Sequence, residues 1–403
     1  MKAINFIFVP LLFSMALISC KTNNHAEDCL QKVLGSLEKI ESATYTAQAE
    51  AWQPGDTTAL SIHCFLTKEY DNPADSTIGA SFVSFSCDEP AKFGSGYDGK
   101  SRFIVYHNKK KIVIDDFTAR PLPFRPVTPP FFNYTKSIIQ YALTTNDSIV
   151  VDLQEFDECY YFKLVINEDR QVEFFGKAYY MPENPYNSGE TTSIYELWIS
   201  KVTNLPYKVR REMSHDISVE TVSNVELNKL SLSDFNIYAY FPADYEVRPY
   251  AYSENNVRQE LTLVGEKAPD WTLNDENEQK IALSSLKGKV VLIQLTGIGC
   301  GPCQAAIPFL KELKAKYSED KFELVAIETW MRKPPALRNY SKKHELNYRL
   351  LSGTDEVVTD YRTGGAAPVF FLLDREQKIR KVFTGYSEEV TNPEITAALN
   401  ELL

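Results

Sequence analysis

Two cysteines separated by two residues, Cys300-Gly301-Pro302-Cys303, carry the most distinctive chemistry in this chain. The run Leu292-Ile293-Gln294-Leu295-Thr296 before them reads as a buried strand, broken by Gly297 and Gly299. The residues after them read as a helix, so the pair stands at a strand-to-helix junction, the sequence form of a thiol–disulfide redox centre. Two intervening residues at a helix start bring the sulfurs within bonding reach. The free N–H groups and dipole of that helix face the first sulfur and favour its thiolate, the nucleophilic form. The competing reading is a structural disulfide or half a zinc site. A two-residue ring is strained and reducible, and no second pair of metal ligands accompanies it.

The elements that must position this pair belong to a chain of 403 residues, long enough for two domains. A hydrophobic share of 44% with 24% charged residues is an ordinary globular balance. The net charge of −11 argues against nucleic acid as a partner, which needs a basic footprint. His25, His63, His107, His215 and His344 show no ligand spacing, so no metal site is readable, and nothing calls for a cofactor.

The N-terminus reads as a targeting segment rather than fold. Lys2 precedes an apolar run from Ile4 to Leu17, too short for a comfortable membrane span. Its ending, Leu17-Ile18-Ser19-Cys20, resembles a bacterial lipobox, with a signal peptide over residues 1–19. Acyl chains on Cys20 would then hold the protein on a membrane. The alternative is an uncleaved anchor. Both place the bulk outside the cytoplasm, in the bacterial cell envelope facing the periplasm, where disulfides persist. Cys64 and Cys87 flank a turn-rich stretch and read either as a hairpin disulfide or as two buried thiols. Cys29 and Cys159 are left without an assigned partner.

Residues 20–246 open with a helical pattern over Ala26 to Ser42, in which Leu30, Val33, Leu34, Leu37 and Ile40 share a face. Alternating runs come next: Tyr45 to Trp52, Leu60 to Leu66, Ile78 to Cys87, Arg102 to His107 and Lys111 to Asp115. More run from Ser148 to Leu153, Cys159 to Ile166, Val172 to Tyr180, Ser193 to Ser200, Tyr207 to Arg211 and Ile217 to Val225. Many antiparallel strands with few helices predict an α+β unit built on a large curved sheet or half-barrel. Five prolines between Arg120 and Pro130 interrupt the pattern, and Phe131 to Leu143 then reads as a short helix, either a plain insertion covering the core or a lid over one face of the sheet. Tyr97-Asp98-Gly99-Lys100 leading into Phe103, and Leu197-Trp198-Ile199-Ser200-Lys201 leading into Leu205-Pro206-Tyr207, resemble hairpins of the lipoprotein-localisation (LolA-like) sheet family. That resemblance implies an apolar concave face able to hold an acyl chain or peptide.

Polar residues 247–263 read as a linker to a second unit, 264–403. Its opening, Val264-Gly265-Glu266-Lys267-Ala268-Pro269-Asp270-Trp271, and the later Leu283-Ser284-Ser285-Leu286-Lys287-Gly288-Lys289 are similar to those of the extracytoplasmic thioredoxin-like oxidoreductases of the TlpA/ResA-like group. Further features carry the resemblance. Pro308 sits eight residues after Cys300, where thioredoxins kink their helix. Gly364-Gly365-Ala366-Ala367-Pro368 leading into Val369-Phe370-Phe371 resembles the loop that carries the family's cis-proline. The 65-residue interval from Cys303 to Pro368 leaves room for the group's inserted helix and strand, here Pro335 to His344 and Asn347 to Leu351. A C-terminal α/β thioredoxin fold is expected, with strands over 289–295 and 322–328, a helix over 302–317, and two antiparallel C-terminal strands.

The resemblance implies that Cys300 attacks and Cys303 resolves, as a redox-active disulfide tuned by Gly301 and Pro302. Pro368 would be cis, and Ala367 would offer its main chain to a substrate strand. Its partners would be protein thiols and disulfides of the envelope and an upstream membrane electron donor. Three residues depart from the pattern. Gly299 replaces a usual tryptophan, predicting a flatter rim. Gln294 stands where thioredoxin buries an aspartate and cannot relay a proton. Glu328 is a proton-relay candidate or an exposed strand-end charge. Peroxiredoxin chemistry is disfavoured, because position 297 is glycine where a threonine is needed. The reading that results is a membrane-anchored reductant of envelope disulfides. A carrier lipoprotein whose thioredoxin-like part is a docking module is the alternative.

Overall fold

The computed structural model describes residues 19–53, 56, 58–119, 121–122, 126–182, 191, 193–213, 216–250 and 263–403. Residues 1–18 of the expected signal peptide 1–19, part of the proline-rich segment and most of the expected linker lie outside them. The chain up to residue 250 contributes β1 (Ser42–Trp52), β2 (Ser61–Asp71), β3 (Ala80–Ser86), β4 (Phe93–Tyr97), β5 (Arg102–Tyr106), β6 (Lys111–Asp115) and β7 (Ile149–Glu155). It continues with β8 (Cys159–Ile166), β9 (Val172–Phe174), β10 (Ala178–Tyr180), β11 (Ser193–Ser200), β12 (Pro206–Met213), β13 (Ile217–Leu227) and β14 (Glu246–Pro249). Twelve of these form one sheet in the order β14-β6-β5-β4-β3-β2-β1-β13-β12-β11-β8-β7.

Alternation decides which face of this sheet is inside. In β11, Tyr195, Leu197 and Ile199 are buried, while the residues between them are half-buried. The inward face is covered by α1 (Ser19–Leu37) and α2 (Phe131–Thr144). Leu30, Val33 and Leu37 of α1 and Phe131, Ile138 and Ile139 of α2 pack against Tyr45, Ala47, Phe162 and Leu197 of the sheet. No described helix is long and apolar enough to cross a membrane.

Several expectations shift. α1 starts earlier and stops at Leu37, because Ser42 already pairs with Tyr70 in β1–β2. The stretch expected as one strand over 172–180 folds back as the separate β9–β10 hairpin, turning at Gly176, whose φ of +75 is left-handed backbone. Residues 247–249, read as linker, instead form the edge strand β14, which pairs in parallel with β6. Its charged residues hid a four-residue strand whose partner lies far away in sequence. Cys64 and Cys87 are joined by a disulfide, and the Cys87 N–H donates to the Cys64 carbonyl, carrying the β2–β3 ladder one step further.

One buried carboxylate fixes α2 to the sheet. Pro130 precedes α2 and provides no side-chain cap. Glu69 of β2 reaches the helix start instead, accepting the N–H groups of Phe132 (3.1 Å) and Asn133 (2.7 Å) and the hydroxyl of Tyr45 (3.0 Å). Burial pushes the Glu69 carboxyl up to about 7 against the pull of these donors. A carboxyl raised in the folded state binds its proton more readily there, so the stability it contributes is full below the ordinary value of 4.5 and lost as pH rises through about 7. The thermal midpoint should therefore fall by roughly 5 °C between about pH 5 and pH 8. Glu220, likewise raised to about 7 by burial and the nearby Glu69 charge, acts in the same direction, so Glu69→Gln should lessen that slope in calorimetry.

The remaining chain forms β15 (Thr272–Asn274), β16 (Lys280–Ala282), β17 (Val290–Thr296), β18 (Phe322–Glu328), β19 (Arg349–Ser352), β20 (Val369–Leu373) and β21 (Ile379–Thr384). Its helices are α3 (Gly301–Ala305), α4 (Ile307–Lys316), α5 (Pro334–Lys343), α6 (Asp355–Asp360) and α7 (Glu388–Leu402). The sheet order is β19-β18-β17-β20-β21, with β19, β18 and β17 parallel and β20 and β21 antiparallel to their neighbours. This is the expected thioredoxin fold. β17 is buried along its whole length, which is why its sequence is a continuous apolar run rather than an alternating one. The helix expected over 302–317 is two, α3 and α4, broken at Ala306 because Pro308 cannot continue the ladder.

Candidate active site

β17 ends at Thr296, and the loop Gly297–Gly299 turns the chain into α3. Gly299 adopts φ +99, a left-handed conformation that glycine takes without penalty. Cys300 is the N-cap of α3, and Pro302 sits in the first turn, where its missing N–H costs nothing. Cys300 and Cys303 are joined as a disulfide. The Cys303 N–H points at the Cys300 sulfur from 3.2 Å, so one donor is in place for a Cys300 thiolate. Cys303 is the deeper of the two, at 1% exposed against 5%.

Opposite the pair, Ala367–Pro368 is a cis peptide bond, and the Ala367 carbonyl oxygen lies 3.6 Å from the Cys300 sulfur. The loop that carries it is held by β20, whose Leu295 to Val369 register sets it beside β17. Cys300, Cys303, Ala367 and Pro368 thus meet in space, as expected from their motifs.

Gln294 is buried at mid-strand, between Ala326 and Phe370 on the flanking strands. Its Nε2 has no hydrogen-bond partner among the described residues. Glu328 is not an exposed strand-end charge: it is 1% exposed. Its Oε1 accepts the N–H of Ile298 (3.3 Å) and Trp330 (3.1 Å), and its Oε2 accepts that of Arg332 (2.8 Å). Burial raises its pKa, and the three backbone donors oppose the rise. Through Ile298 it ties the end of β18 to the loop that delivers Cys300. Glu328→Ala should cost about 2 kcal/mol in urea unfolding, the loss of a buried charged acceptor from several N–H groups. Glu328→Gln should recover part of that.

The rim is also not as flat as Gly299 suggested. Trp330, from the loop after β18, covers Gly297 so closely that a Cβ there would come within 2.4 Å of the indole. Its Nε1 donates to the Gly365 carbonyl (3.2 Å), bridging to the Pro368 loop. Sequence reading missed Trp330. The signal was a glycine at position 297 paired with a tryptophan just past the neighbouring strand. It also missed Gln53, the last residue before the β1–β2 loop, whose Oε1 accepts from Gln304 Nε2 at 3.4 Å. Among the described residues no cluster of His, Cys, Asp or Glu forms a metal site.

Comparison with known proteins agrees with this geometry. The Redoxin family model matches residues 263–399. Thiol-disulfide oxidoreductase ResA of Bacillus subtilis is 33% identical over 125 residues, which is 31% of this chain and 69% of the relative. ResA of Bacillus cereus is 27% identical over 142 residues, covering 33% and 82%. The solution structure of a candidate protein disulfide isomerase from Bacteroides thetaiotaomicron is 33% identical, with a TM-score of 0.32, over 35% of this chain and 89% of that one. By the motifs and sequence of its C-terminal third, the chain belongs to the ResA-like family of thiol–disulfide oxidoreductases.

Proposed function

We propose that this protein is a lipid-anchored, periplasm-facing reductant of protein disulfides in the bacterial envelope. The observation that carries the chemistry is the Cys300–Cys303 disulfide at the start of α3, facing the main chain of Ala367–Pro368. In the dithiol form, the Cys300 thiolate attacks one sulfur of a substrate disulfide. A Cys300–substrate bond forms and one substrate thiolate leaves. The Cys303 thiolate then attacks the Cys300 sulfur, forming Cys300–Cys303 and releasing the second substrate thiolate. Two electrons pass to the substrate. An upstream membrane dithiol donor restores the pair by the reverse exchange. Ala367 presents main-chain groups to the substrate strand, and Glu328 is the candidate proton relay, its raised pKa suiting it to hold a proton nearer neutrality than an ordinary carboxyl.

Cys20, at the start of α1, would carry the acyl anchor. The units are taken as 20–249 and 264–403, with the chain between them as connector. The carrier alternative requires an open apolar face on the large sheet. Side chains of α1 and α2 fill that face, which favours the reductant reading. The test is turbidimetric insulin reduction by the full soluble chain with dithiothreitol as electron source. Acceleration over dithiothreitol alone supports the proposal, and its absence overturns it.

A further inference from the structure

Gln53, Asp56 and Leu60, between β1 and β2 of the N-terminal sheet, sit against the thioredoxin fold near the redox centre. Leu60 packs into the same buried cluster as Ile298, Ala306 and Leu310 of the thioredoxin fold. The Asp56 carboxylate attracts the Lys343 ammonium at the end of α5. Gln53 is buried, at 3% exposed, and accepts from Gln304, the residue after Cys303. A Cβ added to Gly299 would lie 3.2 Å from Gln53 Nε2. The absence of a side chain directly before Cys300 is thus matched by a side chain from the other region. The space that residue 299 leaves is occupied by Gln53.

Beside Gln53 opens a cleft of about 380 Å³, lined among others by Glu50, Trp52, Lys208, Arg210 and Glu212. These residues alternate with the inward Ala47 and Val209, so the cleft is on the sheet face that α1 and α2 do not cover. Its walls are held in place. Trp52 Nε1 donates to Glu50 (3.1 Å), and Arg210 bridges Glu196 and Glu212 (2.6 Å each). The cleft offers both charges and an indole, and Gln53, which lines it, also contacts Gln304, the residue after Cys303. An extended polypeptide bonded to Cys300 could lie along the Ala367 main chain and continue into the cleft.

We propose that this cleft, with Gln53 at its edge, is the subsite for the polypeptide flanking the substrate disulfide, with Gln53 and Trp52 as specificity-determining residues. This rests on the reductase reading above. The substrate class is an extended polypeptide with polar and charged residues next to its cysteine, not a low-molecular-weight disulfide.

The test compares kcat/KM of the full chain for insulin, a polypeptide disulfide, and for 5,5′-dithiobis(2-nitrobenzoate), a small one. Gln53→Ala and Trp52→Ala should each lower the insulin-to-small-disulfide ratio about tenfold, the scale of one or two lost hydrogen bonds. The loss should appear in KM for insulin. Circular dichroism identifies a variant that does not fold, and the other then decides. An unchanged ratio in folded variants overturns the subsite while the reductase reading stands. A wild-type chain that reduces neither probe overturns both.

Discussion

Cys300→Ser should lower insulin reduction by at least about 10³-fold, while Cys303→Ser should stop the reaction after one attack and hold the substrate on Cys300. The geometry assigns these different outcomes to two cysteines of one ring. Cys300 caps α3 and receives the Cys303 N–H, which stabilises negative charge on its sulfur. It also lies beside the Ala367 carbonyl, on the side where substrate main chain would run. Cys303 lies beneath it within the first turn of α3, almost wholly buried. Without Cys303, the free thiols left among the described residues are Cys29 of α1 and Cys159 of β8, both outside the thioredoxin fold. Non-reducing electrophoresis of Cys303→Ser mixed with oxidised insulin should show an adduct that dithiothreitol dissolves. An adduct formed by Cys300→Ser instead would reverse the two roles.

Cys64→Ser combined with Cys87→Ser should lower unfolding stability by about 3 kcal/mol, the chain-entropy cost of releasing a loop of this length. The bridge closes a 23-residue separation between β2 and the end of β3. It continues a ladder whose last strand pair is Phe65 with Ser86, so it closes the free end of a hairpin already paired along its length. Urea unfolding of the double variant against the oxidised parent measures the effect. A loss under about 1 kcal/mol would mean that the ladder holds the hairpin without the bridge. The same strand β2 begins just after Leu60, which packs on the thioredoxin fold. The variant should therefore also loosen the contacts of Leu60 and Gln53 with the thioredoxin fold and reduce the preference for insulin over the small disulfide.

The parts legible in the sequence were those whose signal is local. Strands Cys159–Ile166, Ser193–Ser200 and Phe322–Glu328 have the bounds that their side-chain patterns predict. The C-x-x-C pair is readable from its spacing at a strand-to-helix junction, and Pro308 and the Ala367–Pro368 bond from the resemblance to the thioredoxin-like group. Short or polar elements were missed. β14 and α6 carry too few apolar residues to show a period, and the pairing that makes β14 a strand comes from β6.

The departures were legible as oddities and not as solutions. Gly299 suggested a bare rim, and Glu328 read as either a relay or a surface charge. Their roles depend on residues distant in the chain: Trp330 over Gly297, Ile298 on the Glu328 carboxylate, and Gln53 against Gln304, 251 positions away. By itself the sequence pointed to the redox pair through its spacing, and to the fold that presents it through its resemblance to the thioredoxin-like group, because both signals lie along the chain. Only the tertiary structure decided what surrounds that pair, because burial and interdomain contact depend on which distant surfaces meet.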